Sequence, residues 1–228
     1  MPTTSAILQR FLTGGDLCLT DIPCGAAAAS LALLCSIAEL RQNNKLPRIP
    51  LNVHVIGGEI SQPARVYADE LLNVIRPILA AQAIFLTNEI THWDVLDEVS
   101  NTGLIEKIIL SNASKGQLLV VLSNFNGFLT RSGKKEQALP QIKELFRYCS
   151  GTTNAGVWIE PDMNKAKFEL FPWLRKIIKS LSKFVQLIDP HSIDESSSVE
   201  FEIPFSPANT ATVRIRVVPM DLVRGDAK

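Results

Sequence analysis

The sequence predicts an α/β fold: a doubly wound, mostly parallel seven-stranded sheet with helices on both faces and an antiparallel C-terminal strand pair. Three observations predict it. Short apolar runs bounded by Gly, Pro and Asn alternate with longer helix-forming runs through residue 184. The last two runs, "SVEFEIPF" (198–205) and "ATVRIRVVPM" (211–220), instead alternate apolar and polar residues across the turn-rich "SPAN". Strand–helix–strand alternation needs crossover connections, and these produce a parallel sheet covered on both sides.

The first expected strand is "DLCLTDI" (16–22), apolar and framed by Gly-Gly and Pro-Cys-Gly. "GAAAASLALLCSIAELR" (25–41) follows as a helix of strong helix formers, so apolar that burial on all sides is expected. "LNVHVIGG" (51–58) is the second strand. "SQPARVYADELLNVIRP" (61–77) is the second helix, with Ser61 as N-cap, Pro63 in the first turn and Pro77 expected to end or kink it. "QAIFLTNEITHW" (82–93) is a more polar strand and therefore nearer an edge, followed by a short helix over 101–110. "GQLLVVLSNF" (116–125) is the fourth strand. A helix over 138–150, a fifth strand over 154–161 and an amphipathic helix over 170–184 complete the alternation. One domain spans residues 1–228, with 1–15 a short lead and 221–228 a flexible tail.

The totals narrow the function. Lys+Arg and Asp+Glu number 23 each, so the formal net charge is zero, unlike that of a chain built around a nucleic-acid backbone. Residues 1–110 hold 7 basic and 11 acidic residues and residues 111–228 hold 16 and 12, a split of −4 and +4. Cys18, Cys24, Cys35 and Cys149 show neither C-x-x-C spacing nor a Cys/His cluster, which argues against zinc. Free thiols suit a reducing cytoplasm. The start lacks the pattern of a signal peptide, and no apolar run is long enough for a membrane span.

In a doubly wound sheet, ligands bind at the carboxyl ends of the strands. After the first strand stand Asp21, Pro23, Cys24, Gly25 and Ala26, a tight turn that lets a ligand approach backbone N–H groups. After the second stand Glu59 and Ile60, a carboxylate able to accept both hydroxyls of a ribose. Trp93 and Asp94 follow the third strand, and Ser123, Asn124 and Phe125 the fourth. Each residue also has a plainer use. Asp21 fits a turn cap equally well, Trp93 reads more readily as core, and Asn124 and Asn126 are common turn formers. Four polar endings on four consecutive β-α units carry more weight than any one of them.

At these residues the chain resembles the class I S-adenosylmethionine-dependent methyltransferases. "LTDIPCGAAAAS" (19–30) resembles their first motif, an acid followed by small residues, and "VIGGEISQPARVYADELL" (55–72) their second. "THWDV" and "LLVVLSNF" stand where their adenine-side acid and catalytic-side strand tip lie, and the closing strand pair matches their reversed last strand. The resemblance covers residues 14–220. It implies S-adenosyl-L-methionine as cofactor and S-adenosyl-L-homocysteine as product. Asp21, Pro23, Cys24, Gly25 and Ala26 would then face the methionine and ribose. Glu59 would hold the ribose hydroxyls with Ile60 against the adenine. Trp93 and Asp94 would flank the adenine edge, and Ser123, Asn124 and Phe125 would border the methyl group. The first motif departs from the pattern, because Pro23 and Ala27 replace its outer two glycines and only Gly25 remains.

The implied function is methyl transfer to an acceptor that the sequence does not name; small molecule, protein and RNA all fit. No Asn-Pro-Pro-aromatic signature follows the fourth strand, and no Cys stands at the fourth or fifth strand tip for covalent chemistry. No catalytic residue or metal ligand is assigned. The segment 126–137 is a candidate to close the pocket, as is a partner chain in a homo- or hetero-oligomer. The rival reading is a methyltransferase-like binding or scaffold protein that has lost catalysis, using the basic stretch Lys134–Lys183, within a ribonucleoprotein for example. A nicotinamide-dependent oxidoreductase is disfavoured by the absence of G-x-G-x-x-G.

Overall fold

The computed structural model describes residues 15–161, 176–188, 199–206 and 209–223. Eight strands form one sheet in the order β3-β2-β1-β4-β5-β8-β6, with β7 also paired to β8. They are β1 (Gly15–Ile22), β2 (Leu51–Glu59), β3 (Ile84–His92), β4 (Leu118–Ser123), β5 (Ala155–Pro161), β6 (Val185–Leu187), β7 (Val199–Ser206) and β8 (Asn209–Leu222). β1 to β5 are mutually parallel, and β8 runs antiparallel to β5.

Eight strands fill seven positions. Ile215 pairs with both Pro161 of β5 and Val199 of β7, and Met220 pairs with both Gly156 of β5 and Leu187 of β6. β6 and β7 therefore lie end to end along the outer side of the long β8. β8 reaches Leu222, two residues into the stretch expected as tail. The lead at 1–14 and the first part of the expected 170–184 helix lie outside the described residues.

The helices are α1 (Ala28–Gln42), α2 (Gln62–Ala80), α3 (Glu98–Lys115), α4 (Phe125–Ser132) and α5 (Lys135–Cys149). The sheet separates two apolar cores, as the period-2 alternation of β1 requires. Leu17 and Leu19 face Leu34, Leu72 and Leu119 on the α1/α2 side. Cys18 and Ile22 face Leu104, Phe146 and Trp158 on the α3/α5 side.

Several elements differ from expectation for local reasons. α1 begins at Ala28 rather than residue 25 because Gly25 and Ala27 both adopt left-handed backbone, φ 53° and 60°. It buries one side only: Ser30, Leu34, Ile37, Ala38 and Arg41 pack inward, while Ala28, Ala32, Cys35 and Ser36 are exposed. Pro77 does not end α2. It sits in the last turn at the cost of one N–H, and its own carbonyl still accepts from Ala81 N–H at 3.2 Å. α3 starts at Glu98 because the Asp97 side chain caps the Val99 amide at 3.0 Å, and it ends at Gly116, φ 78°. The segment 126–137, a candidate to close the pocket, is most of α4 plus the start of α5, separated at Gly133, φ 67°. β3 is the sheet edge, as its polarity suggested.

Candidate functional site

The carboxyl ends of β1 to β4 surround a cavity of about 420 Å³, lined by Pro23–Ala26, Ala28, Glu59–Ile60, Trp93–Val95, Ser123–Phe125 and Phe128. The strand order reverses between β1 and β4, so the cavity stands at the switch point where ligands of doubly wound sheets bind. Its volume lies within the usual range for small-molecule sites, roughly 300–1,000 Å³.

The β1 turn sets one wall. Ala27 N–H donates to the Cys24 carbonyl at 2.7 Å, and Cys24 N–H to the Gly58 carbonyl at 2.9 Å, which ties the turn to β2. The two tips are joined again through side chain and backbone: Gly25 N–H donates to Glu59 Oε2 at 3.1 Å, and Ser61 N–H to Oε1 at 2.9 Å. Arg65 Nη1 donates to the carbonyls of Glu59 and Ile60 at 2.9 and 2.7 Å and fixes the loop that carries the carboxylate.

The three glycines near this wall have different uses. A Cβ at Gly57 would lie 2.5 Å from Ile90 Cδ1, and one at Gly58 would lie 2.9 Å from Ile22 Cγ2. Both let β2 pack. A Cβ at Gly25 would meet nothing within 4 Å, so the space beside that backbone is open.

Asp21 does not line the cavity, in contrast to the ligand-facing position expected for it. It is fully buried, and Oδ2 accepts from Ser30 N–H at 3.1 Å and Ser30 Oγ at 2.7 Å. β1 alternation turns its side chain beneath the turn, where it anchors α1. Burial raises its pKa to about 7, against the lowering effect of the two Ser30 bonds. Cys24 is pushed up to about 12, first by burial and then by the neighbouring Asp21 and Glu59. Its thiol is neutral at physiological pH and unsuited to nucleophilic work.

The other two walls are largely core. Trp93 is 3% exposed, donates Nε1–H to Asn101 Oδ1 at 3.1 Å and meets the Phe125 ring at 5.6 Å between centroids. Only a margin of its indole is left for the cavity. Asp94 Oδ1 accepts from Leu96 N–H at 2.9 Å, and Asp94 N–H donates to Ser100 Oγ at 2.9 Å. Asn124, φ 54°, opens α4 and anchors it through its N–H to the Ile159 carbonyl at 2.9 Å.

Eleven of the twelve expected residues thus meet around one cavity, all but Asp21. Ala28, Val95 and Phe128 also line it and were not expected. Phe128 was hidden because no element was assigned to 126–137; its i, i+3 spacing from Phe125 and the Gly133 stop were the available signals. Glu160, at the tip of β5, was also missed. It is buried, and Oε1 accepts from Asn126 N–H at 2.6 Å and Trp158 Nε1–H at 2.8 Å. It therefore holds the N-terminus of α4, which has no side-chain cap of its own. Burial raises its pKa against the lowering effect of those bonds.

Among the described residues there is no cluster of His, Cys, Asp and Glu able to hold a metal and no helix long and apolar enough to cross a membrane. No protein-family model and no curated protein sequence matches the chain. Among solved structures it is similar to a precorrin-6y C5,15-methyltransferase from Geobacter metallireducens GS-15, at 12% identity and TM-score 0.43, over 95% of this chain and 86% of that one. It is also similar to a SAM-dependent methyltransferase from Agrobacterium tumefaciens, at 11% identity and TM-score 0.44, over 96% of this chain and 60% of that one. A third likeness is to the small RNA methyltransferase HEN1, at 10% identity and TM-score 0.47, over 100% of this chain and 25% of that one. These likenesses are too distant to carry activity or acceptor across. The strand order itself, with five parallel strands, the reversed β8 and a cavity over β1 to β4, is that of the class I methyltransferase fold.

Proposed function

We propose that this protein binds S-adenosylmethionine in the cavity over β1 to β4 and transfers its methyl group to an acceptor. The observation that carries the reading is the Glu59 carboxylate, buried, on the cavity wall and turned toward the Gly25 amide. A carboxylate has about four lone-pair positions, two on each oxygen. Gly25 and Ser61 take one on each, so one on each is left for the two hydroxyls of a ribose. The open space beside Gly25 suits a ligand that lies against backbone. Trp93 and Phe125 close the floor against water.

The bound cofactor supplies a methyl group already activated by its positive sulfur. What the chain must add is alignment of the acceptor and exclusion of water. Ser123, Asn124 and Phe128 border the far end of the cavity, where an acceptor would enter. A thermal-shift titration with S-adenosylhomocysteine tests the reading. A saturable rise in melting temperature that Glu59→Ala diminishes supports it, and no rise in the wild type overturns it.

A second reading is a binding or scaffold protein of the same fold without turnover. One observation favours it: the Gly25 amide, a donor that a ligand would use, already donates to Glu59. Binding of S-adenosylhomocysteine, with no transfer of label from methyl-labelled S-adenosylmethionine to any acceptor, separates this reading from the first.

A further inference from the structure

The β3 edge of the sheet carries the features of an interface. β3 pairs with β2 alone among the described residues. Trp93 N–H donates to the Glu59 carbonyl, and the Ala83 carbonyl accepts from Leu51 N–H. The odd-numbered residues at this edge therefore turn their N–H and C=O toward β2. Ile84, Leu86, Asn88, Ile90 and His92 turn theirs outward, which leaves a row of alternating donors and acceptors along nine residues.

Natural edges are usually blunted by Lys, Pro, a bulge or an inward charge. "IFLTNEITH" contains no Lys and no Pro, and its register with β2 is unbroken from Ile84 to His92. Its one carboxylate, Glu89, is ion-paired with Lys107. Phe85, on the face away from α2, is half-exposed at 50%.

The edge is also self-complementary. Asn88 is the middle residue of the five that point outward. From α2, Asp69 Oδ1 accepts from Asn88 Nδ2–H at 2.6 Å, and Arg76 Nη2 donates to Asn88 Oδ1 at 2.7 Å. An acid and a base of α2, both exposed and seven residues apart, thus flank the midpoint of the strand on one face. A two-fold axis through Asn88 brings Asp69 of one copy toward the partner's Arg76, and the reverse. The same axis sets Ile84 against the partner's His92 and Leu86 against the partner's Ile90, all with outward N–H and C=O. On the opposite face it lays Phe85 beside the partner's Thr91. No like charges face each other in this register.

The geometry points to a two-fold homodimer formed by antiparallel pairing of β3 edges, with the sheet continuous through both copies. The partner is a second copy because the strand, its flanking charges and its half-exposed aromatic fit their own image. The axis lies across the strands, so the cavities at their carboxyl ends open on opposite sides of the joint sheet. The dimer is therefore independent of whether the cavity binds S-adenosylmethionine.

The experiment is light scattering with size-exclusion chromatography on the full chain, from nanomolar to high-micromolar concentration. The expected mass is twice the 25.1 kDa of one chain. Asp69→Arg and Arg76→Asp each set like charges across the axis and should raise the dimer dissociation constant at least tenfold. The double exchange D69R/R76D should restore dimerisation, and circular dichroism should show all three variants folded. A second probe avoids α2: Ile90→Pro removes an outward N–H not used by β2 and should yield a folded monomer. A monomeric wild type throughout the range overturns the inference. So does a dimer that persists in both the single reversals and Ile90→Pro.

Discussion

Glu59 and Gly25, 34 residues apart in the chain, are joined by one hydrogen bond of 3.1 Å between carboxylate and backbone amide. The bond ties the β1 turn to the tip of β2 and fixes the acid beside the open face of the glycine turn. It follows from the parallel register, in which Asp21 lies opposite Gly57, so that the residues just beyond each strand end stand side by side.

Glu59→Ala should weaken binding of S-adenosylhomocysteine by about 1.5–3 kcal/mol, because charge-assisted bonds to the ribose are lost. It should also lower stability, since the Gly25 and Ser61 amides lose their acceptor. Glu59→Gln keeps one acceptor oxygen and should lose less affinity. Calorimetry on the three proteins checks the order; equal affinities would mean that the carboxylate does not touch the ligand.

Stability should fall as pH rises from about 4 to about 7, through the group at position 21. Asp21 has its folded-state pKa raised from 3.8 to about 7, so the native chain holds a proton there that the unfolded chain releases. The native state binds more protons across that window, and the slope of unfolding free energy with pH is negative. Asp21→Asn keeps an oxygen acceptor for Ser30 without the buried charge. At pH 8 it should be more stable than wild type by at least about 1 kcal/mol, with a flatter profile between pH 4 and 7. Urea melts at several pH values measure this, and a variant less stable at pH 8 would refute the burial account.

Ala27 sits in left-handed backbone with φ 60° and ψ 28°, a conformation that disfavours any residue with a Cβ. Ala27→Gly should therefore stabilise the protein by about 0.5–1 kcal/mol, less whatever the buried methyl contributes. Thermal melts decide it; destabilisation would show that methyl packing outweighs strain.

The fold was legible because β1, β2, β4 and β5 are short apolar runs between Gly, Pro and Asn, and because β7 and β8 alternate. Residues near strand tips were legible for the same reason, since a strand end fixes where the next residues stand. What the sequence hid was direction. Asp21 is adjacent in sequence to the cavity turn but faces away from the cavity, because strand alternation and the Ser30 bonds decide its orientation. Trp93 stands at the right tip, and Asn101 and Phe125 draw its indole into the core, the plainer of the two uses its sequence position offered. α4 was hidden because its cap is supplied from a distance: Glu160 of β5 holds the Asn126 amide, and the side chain of the N-cap residue Asn124 makes no capping bond. The left-handed residues 25 and 27 likewise delayed α1 by three residues.

The most direct test of the account is isothermal titration of S-adenosylhomocysteine into the wild type and into Gly25→Val. The wild type should bind one ligand per chain with saturable heat. Gly25→Val, which places two methyl groups in the open space at φ 53°, should show no binding while remaining folded by circular dichroism. Absence of heat with the wild type, or undiminished binding by Gly25→Val, would contradict the assignment of this cavity to an adenosyl cofactor.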